Sequence, residues 1–75
     1  MKEEYYIEFF GYNSPENKNK NIHCEDFTFE SEGLQFIETE LKPKIEEVKV
    51  KHNVCFLAVC VYDLDNNTFL KSFEC

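Results

Sequence analysis

Seventy-five residues, 43% hydrophobic and 16% aromatic, suffice for one domain, and a chain this short buries only about 60% of the surface its unfolded form exposes. Fifteen acids against eight bases leave a net charge of −7, and every base is lysine. Nucleic-acid and anionic-membrane binding both rest on abundant Lys and Arg, so this balance argues against direct contact with either.

Residues 5–12 are dense in aromatics and read as a strand. Tyr5, Ile7 and Phe9 share one face, and Tyr6, Glu8, Phe10 and Tyr12 the other. Residues 13–21 read as a mobile polar loop. Residues 22–30 read as a second strand whose apolar phase slips. Ile22 and Cys24 fall on one parity, Phe27 and Phe29 on the other, and a bulge near Glu25-Asp26 accounts for it.

Ser31 then suits a helix N-cap, with Glu32 favoured by the helix dipole. Leu34, Ile37, Leu41, Ile45 and Val48 follow at helical spacing as one stripe. Glu38–Lys42, Glu40–Lys44 and Glu47–Lys51 are favourable i,i+4 pairs, and Lys49, Lys51, His52 and Asn53 suit a C-terminal end. Pro43 stands in the middle and predicts a kink or a break. Phe36, Pro43 and Val50 recur every seven residues on the side opposite the stripe, as a solvated face or a second contact surface.

Residues 54–63 are apolar at both parities, as in a strand covered on both faces. Asp65-Asn66-Asn67 signals a turn, and residues 68–74 return as a fourth strand. The fold expected is α+β, in the order β-β-α-β-β, within a single domain spanning 1–75. A four-stranded, mainly antiparallel sheet carries one Pro43-kinked helix on one face.

That architecture leaves apolar area uncovered. One helix covers one face of the sheet, yet strand 54–62 and strand 5–12 carry apolar residues on both. Large exposed apolar patches mark interfaces, so a partner is expected on the open face. Self-association in a symmetric homodimer, with Tyr6, Phe10, Tyr12 and strand 54–62 as the seam, is the simplest expectation, and a different target is the other. The alternative is that tyrosine hydroxyls at the edge keep this face wet.

The charge is uneven: residues 1–40 hold ten acids and three lysines, whereas residues 41–75 hold five of each. An acidic face built by Glu25, Asp26, Glu30, Glu32, Glu38 and Glu40 would attract a protein with a basic surface. The plainer alternative is that these acids only keep the domain soluble.

The chain has four cysteines, Cys24, Cys55, Cys60 and Cys75. The start lacks a basic-then-apolar signal segment, and the longest apolar run, 54–62, is far shorter than the ~20 residues of a membrane span. A cytoplasmic location with reduced thiols is expected, with Cys55 and Cys60 as small core residues.

Asp63, Asp65, Asn67 and Glu74 fall at the ligand spacing of an EF-hand calcium loop. Thr68 stands where the sharp turn needs glycine, so a hairpin turn explains the segment better. His23, Cys24, His52 and Cys55 could supply zinc ligands, but without closely paired cysteines. No orienting group or oxyanion donor completes a Cys–His nucleophile, and two glycines cannot build a phosphate loop.

The expectation is a non-catalytic binding protein without metal or cofactor, with no nucleic-acid or membrane contact. It would be an inhibitor that docks on a basic, nucleic-acid-binding surface of a larger protein. In size and charge it is similar to phage-encoded and mobile-element blockers of host defence of the anti-CRISPR kind. That is a likeness of class without a shared motif. Its lysine- and asparagine-rich, arginine-free composition suits the AT-rich genome of such an element. A structural homodimer or assembly subunit with no inhibitory role is the alternative, and a metal- or thiol-dependent enzyme or sensor a third.

Overall fold

The computed structural model describes residues 2–75. Four strands, β1 (Glu3–Tyr12), β2 (Ile22–Ser31), β3 (Phe56–Asp63) and β4 (Thr68–Glu74), form one antiparallel sheet in the order β2-β1-β3-β4. The helix α1 (Leu41–His52) lies between β2 and β3 in sequence. This is the β-β-α-β-β arrangement expected.

The connection follows from the strand directions. β2 and β3 flank β1 and both run opposite to it, so the chain leaving β2 must travel back along the sheet before β3 can begin. The 12-residue helix spans about 18 Å of that return, and a 3-10 turn at Gln35–Glu38 precedes it. The narrowest extent of the molecule is 16 Å, room for two layers.

The core lies between those layers. Tyr5, Ile7 and Phe9 from β1 and Leu57, Val59 and Val61 from β3 face Phe36, Ile37, Leu41, Ile45 and Val48. Burial along β1 and β3 alternates residue by residue, so β3 is covered on one face only. Phe27 stacks on Phe9 and Phe29 on Phe36 at centroid distances of 5.7 and 4.8 Å, which extends the core under edge strand β2.

Three local expectations change. The helix begins at Leu41, not after Ser31, which is the last residue of β2. Pro43 therefore occupies the first turn, where a backbone N–H has no intrahelical acceptor to lose. It neither kinks nor interrupts α1. A helix running further back would press the proline ring on the carbonyl of Thr39, and Thr39 leaves the helical region at φ −121° and ψ −85°. This break turns Phe36 inward to 2% exposure, while Leu34 and Val50 stay exposed.

The bulge is real, with its extra residue at Cys24. Phe9 pairs with Glu25 and Phe10 with His23, so Cys24 has no opposite number. Lastly, residues 15–20 form a 3-10 helix capped by the Ser14 hydroxyl. Its Lys18 reaches Glu74 on β4 at 2.7 Å, so this segment crosses one end of the sheet.

Among the described residues, no helix is long and apolar enough to cross a membrane. The four cysteines are free thiols. Cys55 is exposed and Cys60 half-buried, so neither is the core residue expected.

Candidate protein-docking face

The sheet face turned away from α1 is aromatic and acidic. Tyr6, Glu8, Phe10 and Tyr12 of β1 lie beside Tyr62, Cys60, Ala58 and Phe56 of β3 in register. Tyr6 packs on Tyr62 at 5.9 Å, and Tyr62 meets Phe69 of β4 edge-on at 5.5 Å. Phe10 meets His23 of β2 edge-on at 5.4 Å. These contacts leave Tyr6, Phe10 and Tyr62 half-buried and Phe69 exposed.

Each tyrosine on this face lies beside a carboxylate. Tyr6 donates to Asp26 and Tyr12 to Glu74 at 2.7 Å, while Glu8 neighbours Tyr62. Its bond to Asp26, helped by burial, pushes the Tyr6 phenol up to about 12. The Tyr62 and Tyr12 phenols are raised in the same way by Glu8 and Glu74. Glu74 is held below the usual carboxylate range by Lys18 first and by Tyr12 second.

Register also gathers charge here. Glu4 lies opposite Glu30, and Glu8 opposite Asp26. With Glu74 they make five carboxylates on the open face, and the strands contribute no lysine to it. The lysines of α1 lie on the other side, and Lys71 pairs with the core residue Val61. The molecule is thus polarised between its two layers.

The six acids expected to form one surface do not. Glu25 turns towards the helix and is bound internally. Its carboxylate lies 2.9 Å from His52 Nε2, 3.3 Å from Lys44 Nζ and 3.6 Å from Lys51 Nζ. The hydrogen bond from His52 is the main cause that lowers its pKa, with both lysines adding to it. Asp26 and Glu30 lie on the open face. Glu30, Glu32 and Glu40 line a groove at one end of the sheet, where the Thr39 hydroxyl bonds Glu40 and lowers its pKa. Glu38 lies 3.8 Å from Lys42 and lines a separate groove with Lys71 and Phe73.

Tyr6 and Phe10 are on the open face as expected. Tyr12 is there too but only 7% exposed, because it stacks on Phe56 at 5.3 Å and bonds Glu74 under Lys18. It offers little to a partner. Glu4, Glu8, Glu30 and Glu74 join this face through strand pairing, a signal that block-wise counting of acids misses.

The calcium spacing resolves into a hairpin turn. Asp63 is 8% exposed and accepts from the backbone N–H groups of Asp65 and Asn66 and from the Asn66 amide. Asn67 closes the turn at φ 51°, and Glu74 lies at the far end of β4. The four zinc candidates part company as well. His23 faces the open side, Cys24 packs against the core, His52 holds Glu25, and Cys55 is exposed. A different grouping assembles among the described residues: one ligand atom each from Glu8, His23 and Asp26, all within 4.8 Å of one another.

No protein-family model matches the chain, and neither curated proteins nor solved structures give a significant match to it.

Proposed function

We propose that this chain is a non-catalytic binding protein that docks its open sheet face on a basic surface of a larger protein. The observation that carries the reading is the composition of that face. Glu4, Glu8, Asp26 and Glu30 border a patch of half-buried rings with no strand lysine among them, and Glu74 at the far end is paired with Lys18. Clustered carboxylates steer a basic partner into encounter, and aromatic side chains supply the apolar contact area of an interface. A surface evolved to hold nucleic acid has the complementary charge. Occupying it would block the nucleic acid, which makes an inhibitor of nucleic-acid-binding proteins, of the anti-defence class, the most economical role.

The same carboxylates disfavour a symmetric homodimer through this face, since Glu4, Glu8, Asp26 and Glu30 would meet their own copies.

Affinity capture with two baits tests the reading: the wild-type chain, and a variant with Glu4, Glu8, Asp26 and Glu30 all changed to Lys. The wild type is expected to retain proteins that the variant does not. Retention is expected to fall at high salt and on addition of duplex DNA. Identical capture by both baits would remove the reading.

A further inference from the structure

The bulge at Cys24 builds a chemically mixed cluster. In a regular strand His23 and Asp26, three residues apart, point to opposite faces. Here Cys24 and Glu25 both turn towards the helix, and His23 and Asp26 both emerge on the open face. Strand pairing sets Glu8 directly opposite Asp26. An imidazole and two carboxylates from two adjacent strands thus converge, and bulges commonly re-aim side chains in this way beside functional sites.

We propose that Glu8, His23 and Asp26 form a binding site for a divalent first-row cation of the zinc type, with its remaining coordination position open to solvent. One nitrogen and two oxygen donors suit such an ion. At metal–ligand distances near 2.1 Å, tetrahedral donors lie about 3.4 Å apart. The present limit of 4.8 Å closes to that by small rotations of side chains that are exposed or half-buried. Neighbouring groups already restrain the ligands. The Tyr6 hydroxyl bonds Asp26, Tyr62 neighbours Glu8, and the Phe10 ring packs against His23. Outer hydrogen bonds of this kind orient ligating carboxylates. Lys44 and Lys51 are drawn to the opposite face by Glu25, away from the cluster.

The site stands on the geometry of the isolated chain and is independent of the docking reading. Isothermal titration of the chelator-stripped protein with zinc chloride tests it in the absence of any partner. Binding of one ion per chain is expected, weakened at least tenfold in His23→Ala and in Asp26→Asn. His52→Ala and Cys55→Ser, outside the cluster, are expected to bind as the wild type does, with circular dichroism confirming that every variant is folded. Saturation that fails up to millimolar zinc, or binding that survives His23→Ala, or binding that is lost in His52→Ala or Cys55→Ser, would overturn the proposal.

Discussion

Glu25 on β2 and His52 at the end of α1 meet at 2.9 Å, and this contact ties the helix to the edge strand that it only partly covers. Lys44 and Lys51 close on the same carboxylate from two turns back and from beside His52. A residue that looks like part of an acidic surface in the sequence is a fastening between layers.

The fastening is sensitive to acid. The Glu25 carboxyl titrates lower in the fold than its ordinary value, so it contributes stability above that ordinary value and loses it as pH falls through the folded one. Glu25→Gln should cost roughly 1 kcal/mol near neutral pH, since the group is only partly buried. Urea denaturation at about pH 7 and about pH 3 checks this: the gap between wild type and variant is expected to close at the lower pH.

Gly11 is required for space. A Cβ there would sit 2.8 Å from Cys24 Sγ and 2.8 Å from a Val54 methyl, neither of which belongs to a long, yielding side chain. Gly11→Ala should destabilise the fold by about 1–3 kcal/mol. Adding Val54→Ala should recover part of that loss, measured by thermal or urea unfolding of both variants.

The two ends of α1 respond differently to substitution. Pro43→Ala restores an N–H that has no helical acceptor, so it should change stability by under about 0.5 kcal/mol. Asn53 ends the helix in the left-handed region at φ 54°, ψ 48°. Asn53→Gly is expected to hold or raise stability, whereas Asn53→Val should lower it by about 1 kcal/mol or more. A large loss in Pro43→Ala would contradict the helix start at Leu41.

The open face carries its own spectroscopic marker. Tyr6 titrates near 12 because its hydroxyl bonds Asp26, and Tyr5 is likewise pushed up to about 12, first by its bond to Glu3. A phenol whose pKa rises on folding supports the fold fully below its ordinary value of 10.0 and withdraws that support as pH climbs through the folded value. Ultraviolet titration should show late-ionising tyrosines, with one fewer in Tyr6→Phe. In Asp26→Asn the Tyr6 transition should move down towards 10.

The sheet was legible in the sequence because its signal is local. Residues 5–12 and 54–63 are short aromatic or β-branched runs bounded by polar segments, and Asp65-Asn66-Asn67 marks a turn. The helix start was obscured by its own stripe: Ile37, Leu41, Ile45 and Val48 stay in phase across a break. What sets the boundary is steric, the proline ring against the carbonyl four residues earlier. The bulge was legible to within a residue from the slipped phase of β2. Its consequence was not, because the meeting of Glu8 with Asp26 depends on the register of two strands separated by a loop. For the same reason the six acids that crowd the first half of the chain are scattered in space: nearness in sequence does not set which face a residue occupies.

Carboxylates dominate the open face, whereas on the helix layer lysines offset them, and this gives the molecule a front and a back in an electric field. A basic surface within a Debye length, about 8 Å at physiological salt, would exert a torque on it before any atoms touch. The protein would then arrive with its tyrosines leading and its helix trailing. Dilute salt should therefore speed capture by raising the fraction of collisions that are correctly oriented, even if the final grip is unchanged.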